Sequence, residues 1–288
     1  MKKFAVILIF CAAALCGQPL TGISGALEWD KMEINAVVSL DLASADIRLP
    51  TGRTRGEALL ESGYIRLIRP EILDLPVDSS STIADLVERG EYSIAEAENF
   101  ALGAKAPVPV LSPDLRSLRA SYSLSLGGLV SALLRHSRPA EPMRILGPLP
   151  VPAYTGIIII AAGELPVHGR KGSAMIRPCL FPKIWDTGMN LVYERNMLEP
   201  SKDSMIRYAP LSAVLGSGLS AGDAALAGGR PLRILARGVF GERPTDPVID
   251  REDALLIISS AENRRLLREG RVLVALDDSA LKVPLEGE

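Results

Sequence analysis

The tripeptide Asp186-Thr187-Gly188 is the first place in this chain where residue types match a known chemistry. Aspartic proteases carry their reactive carboxylates in such triplets, and two of them must share one proton, from two lobes or two subunits. No second Asp-(Ser/Thr)-Gly exists in the chain, and the bulky Met189 follows this one. The residues are accounted for by a turn, in which Asp starts the reversal and Gly supplies a positive φ. Asp246, Asp250, Glu252 and Asp253 gather four acids within a short span. Calcium takes such oxygen ligands, but a helix start explains three of the four, with Asp250 as the cap and acids in the first turn. His136 and His168 have no Cys, Asp or Glu at metal-ligand spacing, which argues against zinc and against a Ser-His-Asp triad. Gly216-Ser217-Gly218-Leu219-Ser220 suggests an anion cradle ahead of a helix. A lone Gly-x-Gly without a Gly-x-x-x-x-Gly-Lys reads more simply as a loop. Cys179, between Pro178 and Leu180, reads as a small buried hydrophobe. Arg53, Arg55, Arg66 and Arg69 read as a solvated face. No catalytic, cofactor-binding or metal-ligating residue is assigned, so the chain reads as a non-enzyme without a cofactor.

The N-terminus carries the clearest functional signal. Lys2 and Lys3 precede an apolar run over residues 4–15. That is the anatomy of a signal peptide and too short for a membrane span. Ser24-Gly25-Ala26 fits small-x-small cleavage after Ala26, leaving Leu27 as the first mature residue. A competing reading makes Cys16 a lipidated residue, with Ala13 and Ala14 suited to it and Leu15 not. Retention as an uncleaved anchor is the third. Plain cleavage is the preferred reading. Only Cys179 then remains, so no intramolecular disulfide forms. The net charge of −2 argues against a nucleic-acid partner. Aromatic residues are 5% of the chain, too few for stacking surfaces. Hydrophobic residues at 48% and charged residues at 23% suit a packed core over 288 residues, enough for one large or two modest domains.

The positioning elements follow from patterning. Ile157-Ile158-Ile159-Ile160, led in by Tyr154-Thr155-Gly156 and closed by Ala161-Ala162-Gly163, reads as a strand buried on both faces. Residues 232–240 and 271–277 supply two further apolar strands of the same C-terminal sheet. Residues 183–193 look like a hairpin, and one helix opens at Asp250 and runs to Gly270. Residues 174–184, broken by Pro178 and Pro182, allow only irregular or edge strands. In the N-terminal half, residues 33–42 and 115–126 read as strands. A helix over 54–68 is ended by Pro70 and Pro76, a second begins near Ile83, and a third follows the Ser93/Glu96 capping box. Five prolines between 139 and 152 mark the domain boundary. The expected architecture is α+β in two small mixed domains, the C-terminal one a sheet with flanking helices. Its parts are a signal peptide over 1–26, a domain over 27–138, a proline-rich linker over 139–152, a second domain over 153–281 and a loose tail over 282–288.

Several turn and strand signatures sit together in the second half: Tyr154-Thr155-Gly156, the stretch from Pro182 to Gly188, Gly228-Gly229-Arg230-Pro231-Leu232, Arg237-Gly238-Val239, Asp246 with Val248-Ile249, and Gly270-Arg271-Val272 through Asp277. In that order they resemble exported bacterial proteins related to flagellar assembly protein T and the 20-kilodalton-lipoprotein-like envelope family. The resemblance covers residues 154–277 and carries no catalytic residue. It implies a non-enzymatic envelope protein in the periplasm or at the outer-membrane periphery. Its expected partners are other envelope or flagellar proteins, with membrane contact only if Cys16 is lipidated. The alternative is a periplasmic hydrolase or small-ligand-binding protein with its site at the domain junction.

Overall fold

The computed structural model describes residues 21–106, 108–144, 150–200 and 205–285. It is α+β, with two mixed halves. The N-terminal half begins with strands β1 (Thr21–Glu28) and β2 (Glu33–Asp41) and helices α1 (Arg53–Leu73), α2 (Ile83–Glu88) and α3 (Ile94–Leu102). Strands β3 (Val110–Leu111) and β4 (Ser117–Ser125) and helix α4 (Gly127–Leu133) complete it. Alternation in β2 and β4 turns Ile34, Val38, Leu40, Leu118, Tyr122 and Leu124 inward, where α1 covers them with Leu60, Tyr64 and Ile68. Thr82 with Asp85 and Ser93 with Glu96 form complete capping boxes, which fix the starts of α2 and α3.

The C-terminal half holds β5 (Ile157–Ala161), the ribbon β6 (Leu165–Pro166) and β7 (Ser173–Ala174), and the hairpin β8 (Ile184–Asp186) and β9 (Leu191–Tyr193). After these come β10 (Arg207–Pro210), α5 (Ala221–Ala227), β11 (Leu232–Phe240) and β12 (Asp246–Ile249). Last are α6 (Arg251–Ile258), α7 (Ala261–Arg268), β13 (Val272–Leu276) and β14 (Lys282–Pro284). Seven strands pair in the order β10-β13-β5-β11-β12-β8-β9, and β5 lies parallel between β13 and β11. The four isoleucines follow from this position. Ile157 and Ile159 join the main core with Ile257 of α6 and Leu267 of α7, while Ile158 packs in a second cluster with Val214 and Ala227. A parallel strand covered on both faces needs apolar side chains at successive positions rather than alternate ones.

The lead-in to β5 is a knot of close contacts. Thr155 Oγ1 donates to Ala227 O at 2.8 Å and accepts from Arg230 N at 2.9 Å. Arg271 Nε donates to Thr155 O at 2.7 Å. Asn263, 1% exposed, accepts from Tyr154 N at 3.0 Å and donates to Pro152 O at 3.0 Å and Leu256 O at 2.8 Å. A Cβ on Gly156 would sit 2.6 Å from Ala227 O and 2.8 Å from Ala227 Cα, which is why only glycine fits there.

Five expectations need correction. Pro70 does not end α1: it lies inside the last turn, where the helix continues to bury Ile72. The single helix from Asp250 to Gly270 is two, because Ser260 caps α7 by accepting from Asn263 N at 3.0 Å. The Asp250 carboxylate makes no cap bond and instead accepts from Arg237 Nε at 2.6 Å. The tail is not loose over 282–284: β14 pairs antiparallel with β1 and makes the edge of the N-terminal sheet. A mature chain starting at Leu27 conflicts with β1 itself. Thr21 to Ala26 pair with Leu40 to Asn35, Thr21 is 3% exposed and accepts from Arg66 at 2.9 Å, and Ala26 is 6% exposed. Residues 1–20, including Cys16, lie outside the described residues.

Two outcomes follow. If the protein is processed, intact-mass and N-terminal analysis of the form recovered from cells should place the mature start no later than Thr21. A recombinant form starting at Leu27 should be less stable than one starting at Thr21 by about 2–4 kcal/mol in denaturant unfolding, or fail to fold. Equal stability of the two forms would restore cleavage after Ala26. Separately, Gly156→Ala should cost about 1–3 kcal/mol, because the new methyl meets backbone that cannot give way; an unchanged midpoint would refute the close-approach account.

Candidate functional site

The residues singled out for chemistry are occupied by structure. Asp186, 5% exposed, accepts from Gly188 N and Asn190 N at 2.8 Å each, and Asn190 Nδ2 reaches its second oxygen at 2.8 Å. Its carboxylate closes its own turn. Asp250 is held by Arg237 as above. His168 is exposed; its backbone N donates to Val239 O at 2.8 Å, and its ring lies edge-on to Phe240. No hydrogen bond joins any two of Asp186, His168 and Asp250 among the described residues. His136 places Nε2 2.7 Å from Leu198 O and so ties the end of the N-terminal half to the C-terminal half. The Gly216–Gly218 stretch ends a single π-helical turn (Ala213–Ser217), with Gly218 at φ 94°.

Asp246 parts from the other three acids. Asp246 turns into the core, while Asp250 turns out to Arg237. Among the described residues no three His, Cys, Asp or Glu side chains gather as a metal site. Cys179 is fully buried, and burial pushes its thiol up. Its backbone N donates to Tyr208 Oη at 3.0 Å, and Tyr208 Oη donates to its carbonyl at 2.9 Å.

Sequence reading missed the role of Asp246. The residue is 0% exposed, and burial raises its carboxyl above 3.8 against the pull of its donors. Oδ1 accepts from Lys183 N at 3.1 Å and Thr245 Oγ1 at 2.9 Å, and Oδ2 accepts from Trp185 Nε1 at 3.3 Å. The Ser79 side chain acts on the same carboxyl, favouring its charged form. Its loop is knitted to the C-terminal half by backbone bonds from Leu180 N to Pro76 O, Phe181 N to Val77 O and Arg243 N to Ser79 O, at 2.8–2.9 Å. The available signal was Thr245-Asp246-Pro247-Val248-Ile249, a strand with an acid at its start.

Beside this seam opens a cleft of about 1000 Å³ between the two halves. Leu27, Trp29, Leu75 and Ile176 form its buried apolar floor. Glu71, Asp74, Glu164 and Glu242 stand around it with Arg177 and Arg243. Among the described residues no histidine or cysteine lines it. An apolar floor under a charged rim suits binding, since orientation comes from the few polar groups and affinity from desolvation of the floor.

Asp246 supplies the pH test. A carboxyl raised by folding contributes stability that is fully present below its ordinary value and is lost as pH rises through the raised one. Asp246→Asn removes that titration but leaves an amide N–H facing a donor, at a cost of about 1–3 kcal/mol. The stability gap between native and variant should therefore be widest near pH ~3.5 and narrow towards pH ~7 in denaturant unfolding. A gap that widens with pH would overturn the assignment.

Residues 21–133 match the family model of the Treponema pallidum Tp0624 N-terminal domain, and residues 156–278 match that of the Tp0624 second domain. No curated protein matches the chain significantly. Nothing in the matches links it to flagellar assembly protein T. The two matches cover both halves of the fold in the same order and place the chain in a bacterial protein family that shares the N-terminal and second domains of Tp0624.

Proposed function

We propose that the protein is a non-enzymatic, exported cell-envelope module that binds other proteins in the periplasm or at the outer-membrane periphery. The observation that carries this reading is the junction cleft: its opening lies between two halves locked together by the Ser79 loop and by β14. The carboxylates that suggested chemistry are held in internal bonds, Asp186 in a turn, Asp246 in the seam and Asp250 on Arg237. Such a body presents a fixed surface, as an assembly module needs. Flagellar proteins are one class of partner within this reading. Membrane contact comes through Cys16 if that residue is lipidated; among the described residues no helix is long and apolar enough to cross a membrane.

The junction position also suits a periplasmic hydrolase or small-ligand-binding protein, the second reading. That reading needs at least two convergent titratable groups within reach of one reacting atom. Crosslinking in intact cells, followed by pull-down from envelope fractions, separates the two. Envelope proteins should be recovered in stable stoichiometry. Recovery of cytoplasmic proteins alone would sink the proposal.

A further inference from the structure

We infer that the junction cleft docks an extended, apolar peptide segment carrying lysine or arginine side chains, an inference that rests on the protein-binding reading above. Three observations converge on it. The first is backbone. β14 is the end strand of the five-stranded sheet, and β7 is the end strand of its two-stranded ribbon. Val283 of β14 and Ala174 of β7 line the same opening. Both are end strands among the described residues and border the cleft, and a strand edge offers donors and acceptors to an incoming extended chain.

The second is apolar surface. Val283 is 46% exposed at the β14 edge, beside the floor of Leu27, Trp29 and Ile176. An occupant with apolar side chains on alternate positions covers that floor while its backbone meets the edges. Pro284 lacks an N–H and Lys282 is charged, so the β14 edge supports only a short ladder. Side-chain contacts must then carry selectivity.

The third is charge. Three carboxylates, Asp74, Glu164 and Glu242, stand around the cleft against two guanidinium groups. One of these, Arg243, lies 4.0 Å from Asp85, whose charge offsets it. The rim is therefore net negative, and complementarity selects a cationic segment over an anionic one.

The probes are two blocked octapeptides, one alternating valine with lysine and one alternating valine with glutamate, titrated calorimetrically into the mature protein at low salt. The lysine peptide should bind at least about tenfold more tightly than the glutamate peptide. Asp74→Lys combined with Glu242→Lys should abolish or invert that preference at an unchanged unfolding temperature. Should that variant fail to fold, Arg177→Glu, on an exposed rim position, should strengthen lysine-peptide binding. Equal affinities, no binding of the lysine peptide, or a preference untouched by the rim variants would overturn the inference. Envelope partners that bind the rim variants as well as the native protein would leave the protein-binding reading standing and remove the cleft from it.

Discussion

A carboxylate with no solvent contact has to be bonded on every side, and Asp246 sets this requirement for the whole molecule. Its donors come from two separate stretches, Lys183 with Trp185 and Thr245, and Ser79 from the other half of the chain acts on the same carboxyl. None of them can leave without stranding the rest. The loop that delivers Ser79 also gives its carbonyls to Leu180, Phe181 and Arg243. The seam is thus polar at its centre and apolar around it, where Trp29 meets Tyr208 edge to face at 5.9 Å. Buried polar networks of this kind are costly unless complete, and a complete one fixes a single relative placement of the parts.

The same logic of closure governs the β5 lead-in. Thr155, Asn263 of α7 and Arg271 just before β13 share the bonds of one short approach. Gly156 and Gly228 are there because backbone or Thr155 occupies the space a side chain would need. At the far end, Gly163 N donates to Asp277 at 2.7 Å, joining the exits of two neighbouring parallel strands. The signatures that carried the family resemblance are therefore the joints of the sheet. They hold it in register.

Much of this was legible in the sequence, for a definite reason. The isoleucine strand, the Ser93/Glu96 capping box and the hairpin over residues 183–193 are encoded by neighbours within a few residues, and local rules reach that far. What escaped was decided at long range. Pro70 sits inside a helix because Ile72 gains burial against a core assembled from elsewhere. The last strand pairs with the first described strand, across more than two hundred residues of chain. The same pairing runs across the cleavage site read at Ala26: small residues in sequence look alike whether a peptidase reads them or a neighbouring strand packs on them. Asp246 was hidden by the acids beside it. Its burial follows from β12 pairing between β11 and β8, which no local pattern announces.

The cleft was foreshadowed only as a junction. Neither its floor nor its edges could be placed before β14 was known to return to the N-terminal sheet. That return has two effects at once. It anchors the end of the second half on the first, and it lays an edge strand along the opening between them. An interlocked seam holds the walls of such an opening at fixed spacing, so little conformational order is lost when a partner enters. The placement that Asp246 helps fix and the cleft beside it are consequences of one arrangement: a polar network at the centre of the junction and an apolar, acid-rimmed mouth at its margin.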